Sequence, residues 1–388
     1  MNPASTPLPA SDCATAGDRA ASTGRCSSRR GYIDWLRGFA ILIMIETHVL
    51  DAWTRNADRN SVIFGYAKVL GGFAAPLFLF LAGMAVVFAT RAQLNRTGDP
   101  ALASRAVQRR GRQIFGLAFL FRFQAWILNP LASPGQMLKV DILNIMGPAI
   151  VMTAMLCGIA RERRARLVVF GVAAALMTCA TPLVRATPLL AVLPDAVEAY
   201  LRPVPGYNSF NLFPWAGFVF AGSLVGVVLD RPRDRAAAIA LHAWFAIGGL
   251  ACAVASYYAW YLPSPYAATD FWTSSPTFFF MRTAILVAAV GVTYFPQSAP
   301  PLTALGRTRP MQRFGRSSLF VYWIHVELAY GVLSRRVYHR LPIDDAAVAF
   351  VLFSALMFGV VVVKDRLKDK WKRRGQRQVQ TGDLVIAS

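Results

Sequence analysis

Cysteine is scarce in this chain, with five residues in 388. None has a neighbour at a spacing typical of a metal site, and three of the five lie inside apolar runs, Cys157, Cys179 and Cys252. Disulfide frameworks and zinc sites depend on paired cysteines at short intervals. The sequence therefore argues against either, and we expect no metal. Histidine is equally rare, with four residues in total.

Acidic residues are also few, with 20 Asp and Glu against 41 Lys and Arg, so the net charge is +21. In a soluble protein this excess would suggest nucleic-acid binding. Here the basic residues cluster between apolar runs, 55% of the residues are hydrophobic, and the mean hydropathy is +0.42. Such a chain is too apolar for a soluble domain with a polar shell. We predict a polytopic membrane protein whose partner is the lipid bilayer, not nucleic acid.

Apolar runs of about 18 residues or more predict membrane-spanning helices. Ten are expected, so the predicted fold is an all-α bundle. Their expected positions are 38–54, 69–90, 111–130, 141–160, 165–184, 211–229, 236–259, 276–295, 315–333 and 345–363.

Loop charges support this count, because basic clusters alternate with sparse loops such as residues 260–275, which contain no Lys or Arg. Basic loops stay on the cytoplasmic side. The pattern predicts a multi-pass protein of the inner (cytoplasmic) membrane with both termini cytoplasmic, although three arginines of the last outside loop weaken it, Arg335, Arg336 and Arg340.

Both ends of the chain are predicted to lie outside the bundle. Residues 1–30 are rich in Ala, Ser, Thr and Pro and have no apolar run, which indicates a disordered cytoplasmic tail and not a signal peptide. Residues 31–365 form the predicted transmembrane domain. Residues 366–388 are predicted to be a basic cytoplasmic tail, and the basic run from Lys364 to Arg377 is typical of a membrane-surface anchor.

The first span carries an unusual number of ionisable residues, namely Asp34, Arg37, Glu46, His48 and Asp51. Such groups are costly in hydrocarbon, so they indicate a functional site. Arg37 and His48 are eleven residues apart, which places them on one face of a helix with a rise of about 16 Å between them. Asp51 falls near the same stripe one turn later. Glu46 points to the other side and needs a partner from another helix or a protonated state.

Several segments together resemble a known group of proteins. They are DWLRG (Asp34–Gly38), an Arg followed after ten residues by His48, and GGFAAPLFLFLAGMA (Gly71–Ala85). This combination resembles the membrane acyltransferase superfamily, which contains the heparan-alpha-glucosaminide N-acetyltransferase and acyltransferase-three families. Three later segments are similar to the heparan type in the same order, VDILNIMGPAIV (140–151), NLFPWAGFVFAGSLVG (211–226) and FGRSSLFVYWIHVELAYG (314–331). The resemblance covers residues 30 to 365.

The resemblance implies a bundle of about ten helices around a funnel. Acetyl-CoA or another acyl-CoA would enter from the cytoplasm as co-substrate, and the acyl group would pass to a hydroxyl or amino group of a glycan or other polar envelope acceptor. One departure stands out. The heparan type uses a histidine in the loop after the first span and Asn at the position of His48, whereas this chain has no histidine between His48 and His242. The Arg-to-His spacing instead matches the acyltransferase-three pattern, so His48 becomes the predicted catalytic histidine.

The predicted catalytic group is His48, Asp51 and Glu46. His48 would act as general base, and its alternative is a buried structural histidine. Asp51 would orient the ring or stabilise the imidazolium, and its alternative is to cap the helix end. The mechanism would be direct transfer in a ternary complex or a covalent acyl-imidazole at His48.

The predicted cofactor-binding residues are Arg37, Arg122, Arg282 and His325. Arg37 suits a CoA phosphate, or is an ordinary inside-positive anchor. Arg122 and Arg282 lie within apolar runs, so they line the acyl-CoA tunnel or form struts with Glu46 or another carboxylate. His325 is a second proton-handling group or part of a packed interface.

A different class of function also explains intramembrane charge. His48, Glu46, Arg122 and Arg282 would form the proton or solute path of a non-enzymatic transporter or flippase. Transporters often contain repeated halves, and the sequence shows no convincing repeat. Binding of a thioester would distinguish the acyltransferase from the transporter.

Overall fold

The helices of the structure follow the apolar runs of the sequence. The computed structural model describes residues 30–128, 134–208, 210–231, 233–298 and 309–386, and within them there is no β-strand, only two isolated bridges. The all-α prediction is confirmed. The helices are α1 (Gly31–Trp53), α2 (Val62–Gly71), α3 (Ala74–Thr97), α4 (Pro100–Leu128), α5 (Ile142–Ile159), α6 (Arg163–Cys179), α7 (Thr181–Ala186), α8 (Asp195–Glu198), α9 (Leu212–Leu229), α10 (Arg235–Ala259), α11 (Pro276–Ser298), α12 (Arg309–Arg316), α13 (Ser318–Tyr330) and α14 (Ile343–Ile386). Short 3₁₀ helices span Asn56–Asp58, Pro134–Leu138, Pro188–Val192 and Val332–Ser334.

Seven helical segments of the described residues are long and apolar enough to cross a membrane. The protein is therefore a multi-pass membrane protein. Three of the ten predicted spans, corresponding to α1, α4 and α13, are not among the seven. α1 carries four charged residues besides His48, and α13 has only 13 residues. The count of ten stays a prediction.

Helix ends differ from the predicted spans where local chemistry places a start or a break. α4 begins at Pro100, eleven residues before the predicted span, because Asp99 accepts a hydrogen bond from the Ala101 N–H at 2.7 Å and proline suits a first helical position. The span predicted over 69–90 is divided at Gly72 and Phe73, between α2 and α3. α14 continues through residues 366–386, where a tail without spans is predicted.

The centre of the bundle is formed by helices that approach closely. α3 packs against α9, α9 against α6, and α4 against α5, while α10 and α11 pair with each other. Glycines allow the closest approach: a Cβ added to Gly83 of α3 would lie 1.9 Å from the Val219 carbonyl oxygen, and one added to Gly222 of α9 would lie 1.9 Å from that of Phe80. Small residues at helix interfaces are typical of membrane bundles.

α1 is held at its carboxyl end by the segment that precedes α14. Thr54 forms a parallel bridge with Leu341, and the Trp53 indole N–H donates to the Ala329 carbonyl oxygen of α13 at 3.0 Å. Asp58 accepts a hydrogen bond from the Ile343 N–H at 2.9 Å, and this bond lowers the pKa of Asp58. These contacts connect the first span to the two last helices.

Residues from Tyr32 onward form one compact unit, and of the unit Met1–Gly31 only Arg30 and Gly31 are described. The tail predicted over residues 1–30, with Cys13 and Cys26, otherwise lies outside the described residues. The three described cysteines are free.

We expect Gly83→Ala to destabilise the protein by about 2 kcal/mol, because the added methyl group meets a backbone atom that cannot move without separating α3 from α9. Gly171→Ala is the matched control: Gly171 lies in α6, and its added Cβ meets nothing within 4 Å. Alanine is the better helix former, so this variant should be neutral or more stable. Thermal unfolding in one detergent measures both, and equal Tm values for the two variants would contradict the packing argument.

Candidate active site

A large cavity lies beside α1 and has a volume of about 790 Å³. Ligand sites typically measure about 300–1,000 Å³. Side chains from α1, α3, α4, α5 and α13 line it. Its lining includes residues of α4 from Arg110 to Leu128, a rise of about 27 Å along the helix. The cavity is therefore elongated along α4.

One stripe of α1 faces this cavity. Met44, Thr47, His48 and Asp51 all line it, and their spacing of i, i+3, i+4 and i+7 is that of one helix face. The predicted alignment of Asp51 with His48 is present in the structure. Helical periodicity thus places the imidazole and the carboxylate on the same wall.

His48 is joined to His325 of α13. Nδ1 of His48 lies 2.8 Å from Nε2 of His325, and the two rings are stacked with centroids 5.0 Å apart. His325 is fully buried, and its Nδ1 lies 2.8 Å from the Val321 carbonyl oxygen. A carbonyl oxygen only accepts hydrogen bonds, so this nitrogen of His325 carries the hydrogen.

This contact determines the tautomers of both rings. With the hydrogen on Nδ1, neutral His325 has a bare Nε2, which accepts a hydrogen bond from the Nδ1–H of His48. The Nε2 of His48 is then the unprotonated nitrogen. It has no hydrogen-bond partner within the described chain, and His48 lines the cavity. The arrangement leaves a proton acceptor on the ring that borders the cavity.

Asp51 contacts other groups than the His48 ring. Its carboxylate accepts hydrogen bonds from the Tyr330 hydroxyl and from Arg59, both at 3.0 Å. The Tyr330 ring in turn contacts the His48 ring edge-on, with centroids 5.6 Å apart. The side chain bonded to the His48 ring is therefore that of His325, whereas the Asp51 carboxylate binds Tyr330 and Arg59.

A buried ion pair forms another part of the wall. Arg122 of α4 contacts the Asp141 carboxylate, and Asp141 also caps α5 in a reciprocal arrangement with Asn144. Both members of the pair line the cavity. The predicted strut partner of Arg122 is Glu46 or another carboxylate, and in the structure the carboxylate is that of Asp141.

Comparison with family models now bears on this site. Residues 29–251 match the model for the heparan-alpha-glucosaminide N-acetyltransferase catalytic domain.

The chain belongs to this family.

Membership makes it a membrane transferase of the acetyltransferase type, and gives no support to the transporter alternative. Among curated proteins, no relative matches the chain. The family match confirms the resemblance to the heparan type; the likeness of the Arg37-to-His48 spacing to the acyltransferase-three pattern stays a prediction.

The remaining predicted site residues of this acetyltransferase-family chain lie away from the cavity. Arg37 pairs with the buried Asp34 at 3.1 Å. Glu46 is buried and accepts a hydrogen bond from Thr47, and in the described residues no cation lies within 4 Å of it. Arg282 lines a second, smaller cavity. The described chain contains no group of three or more His, Cys, Asp and Glu residues that could hold a metal ion.

Sequence reasoning missed several residues of the cavity wall. Tyr330 and Tyr322 line it, as do Arg110 and Asp141. The tyrosines recur on α13 at positions 322 and 330 around His325, a helical spacing that a pattern search could have found. Asp141 was detectable as an acidic residue directly before an apolar helix, with Asn144 three residues later. Arg110 is indistinguishable in sequence from its basic neighbours.

We expect Arg122→Met to cost about 3 kcal/mol of unfolding free energy, because it leaves the Asp141 carboxylate buried without its cation. Asp141→Asn keeps a side chain that can cap α5 and leaves Arg122 unpaired. The double variant should lose clearly less than the sum of the two single losses. Unfolding of all four proteins in detergent measures the coupling, and strictly additive losses would argue against the ion pair.

Proposed function

We propose that this protein transfers an acyl group, most simply acetyl, from cytosolic acyl-CoA to a hydroxyl or amino group of a polar acceptor such as a glycan. The observation that carries the proposal is the His48–His325 pair at the wall of the large cavity. A titratable base at the wall of a cavity large enough to hold a ligand is what such a transfer needs. We further propose that the protein lies in the inner membrane with both termini cytoplasmic, as the loop charges favour.

The shape of the cavity supports entry of donor and acceptor from opposite sides. One end is lined by Arg110 and by Ser318 at the start of α13, and the other by Asp51, Tyr330 and Arg335. Arg110 belongs to the basic group before the third predicted span, which the charge pattern places in the cytoplasm. Guanidinium groups bind phosphate through a planar fork. We therefore place the CoA phosphates toward Arg110 and the acceptor toward Tyr330.

The proposed reaction is a direct transfer. Nε2 of His48 takes the proton from the acceptor hydroxyl or amine as its oxygen or nitrogen attacks the thioester carbonyl carbon. The tetrahedral intermediate collapses, the carbon–sulfur bond breaks, and the CoA thiolate receives the proton from His48. Each atom and proton is accounted for without a metal or a redox step.

His325 is a positioning residue in this scheme. It does not touch the cavity, but it accepts the Nδ1–H of His48 and so keeps the lone pair on Nε2. When His48 is protonated, the same hydrogen bond shares the charge of the imidazolium with His325. Arg122 borders the cavity about 18 Å along α4 from Arg110, where Asp141 balances its charge, so the proposal gives it no contact with the CoA phosphates. Arg37, Glu46 and Arg282 do not line this cavity, so the proposal gives them no step in it.

We expect His48→Ala to reduce transfer by about 10³-fold, within the range for loss of a general base, while the protein remains folded in the membrane. His325→Ala should lower kcat by about 10- to 100-fold and leave KM for acyl-CoA unchanged, because His325 acts on the base and not on the donor. His325→Gln, whose carbonyl oxygen can accept the Nδ1–H of His48, should recover part of the loss. Steady-state assays with acetyl-CoA and an acceptor panel provide these values.

The matched control is His339→Asn. His339 has a positive φ of 53°, a conformation that asparagine tolerates, and it lies outside the cavity. This variant should retain full activity. An active His48→Ala protein, or a His325→Ala protein that loses only affinity for acyl-CoA, would overturn the assigned roles.

Direct transfer also predicts that acyl-CoA alone gives no burst of CoA release. A covalent acyl-imidazole at His48 would instead release one CoA per protein rapidly before the acceptor is added. Rapid-quench measurement of free CoA, with intact-mass analysis of the protein, distinguishes the two. A stoichiometric burst that disappears in His48→Ala would establish the covalent route.

A further inference from the structure

A second cavity, of about 230 Å³, lies where two loops meet the ends of three helices. Arg185 comes from the end of α7, Asn208 from the segment that leads to α9, Thr273 from the segment before α11, Asn211 from the start of α9, and Arg282 from α11. The two segments are the long connections between predicted spans, residues 185–210 and 260–275. The structure brings both to one cavity.

The charges of this cavity are unbalanced. It is lined by two arginines and, in the described chain, by no acidic residue. Arg282 lies six residues into α11, about 9 Å along the helix, and forms no ion pair with any described carboxylate. Asp270 is near enough to act on Arg185 through its charge, yet no hydrogen bond or ion pair joins the two. Cations placed in a membrane protein without a counter-ion indicate a functional site.

Unsatisfied polar atoms point into the same region. The Nε atoms of Arg185 and Arg282 are buried without a hydrogen-bond partner, and so is Oδ1 of Asn211. Asn211 is only 3% exposed and lines the cavity. Buried polar groups are normally hydrogen-bonded, and an orphaned one calls for an explanation. A ligand with an oxyanion for the arginine head groups and a hydroxyl for Asn211 would bring hydrogen-bonding partners to side chains that lack them.

The Arg282 guanidinium and the main chain at Arg185 are held in place by their surroundings. Arg282 lies over the ring of Phe278, with 4.1 Å from Cζ to the centroid, and near that of Phe73 at 5.7 Å. The main chain at Arg185 is fixed by Arg202, which donates hydrogen bonds to the carbonyl oxygens of Arg185 and Thr187. Arginines fixed in this way lose little entropy on binding an anion.

The two cavities are neighbours. Phe210 lines the large cavity and Asn211 the small one. Gly71 lines the large cavity, and a Cβ added to the adjacent Gly72 would lie 2.8 Å from Nη2 of Arg282. The small cavity is below the usual size of a complete ligand site, about 300 Å³. It therefore suits one group of a larger molecule whose remainder reaches the large cavity.

We propose that Arg185 and Arg282, with Asn211, form a subsite for an oxyanion, a phosphate or carboxylate, carried by the acceptor. The assignment of the anion to the acceptor rests on the proposed function. The binding of an oxyanion at the subsite does not rest on it. The acceptor class that follows is an anionic, hydroxyl-bearing molecule, either water-soluble or a lipid headgroup.

The test uses the full chain in nanodiscs of phosphatidylcholine, without acyl-CoA. Glucose 6-phosphate, inorganic phosphate and glucose are added at equal ionic strength, and the shift in Tm gives an apparent Kd for each. We expect both phosphate probes to stabilise the protein and glucose to have no effect. We expect a Kd for glucose 6-phosphate at least tenfold higher in Arg282→Gln and in Arg185→Gln. Asn211→Ala should weaken the binding of glucose 6-phosphate more than the binding of inorganic phosphate. Arg336→Gln, an exposed arginine outside both cavities, is the matched control.

Each result of this experiment either supports the oxyanion subsite or overturns it. If only nanodiscs containing phosphatidylglycerol stabilise the wild-type protein, and the arginine variants remove that effect, the oxyanion is a lipid headgroup. Unchanged Kd values in both arginine variants, or no shift with any probe or lipid, would overturn the subsite. Should Arg282→Gln fail to fold, Arg185→Gln carries the same test. His48→Ala should bind the probes like the wild type, so failure of the acyltransferase mechanism and failure of the subsite are separately visible.

Discussion

The hydrogen bond between His48 and His325 is the interaction on which the site depends. It joins the first span to a helix 277 residues later in the chain, and it gives both imidazoles defined tautomers. Nδ1 of His325 donates a hydrogen bond to a main-chain carbonyl oxygen of its own helix. That carbonyl thus determines the tautomer of His48, which is two hydrogen bonds away. Small movements of α13 relative to α1 would change that state.

The polar residues of this protein follow the general constraint of a bilayer, where each polar group must be satisfied inside the protein. Asp141 is shared by Arg122 and the start of α5, and Asp51 is shared by Arg59 and Tyr330. With so few acidic residues, these two carboxylates each serve more than one partner. Arg185 and Arg282 of the small cavity differ from Arg59 and Arg122, because neither forms an ion pair with a described carboxylate.

Much of the site was predictable from the pattern of a single helix. Periodicity placed His48 and Asp51 on one face of α1, and both line the cavity. Periodicity also predicted that Glu46 faces away from these two residues. What it could not supply was the opposite wall, because the period of a helix says which side chains share a face and nothing about which helix packs against that face. The pairings of His48 with His325 and of Arg122 with Asp141 depend on tertiary packing. The glycines at 71 and 72 favour a kink, but an apolar run alone does not show where one helix ends and the next begins, so the predicted span 69–90 runs through the break at Gly72 and Phe73.

The family match ends at residue 251, before α11 and α13 begin. The two histidines of the pair therefore fall on different sides of that boundary, with His48 inside the matched region and His325 beyond it. A fragment cut to the matched residues would retain His48, the proposed base, without the His325 ring that accepts its hydrogen bond, and would lack the tyrosine-bearing wall of the cavity. The chemical unit of this protein is consequently larger than the segment by which its family is recognised.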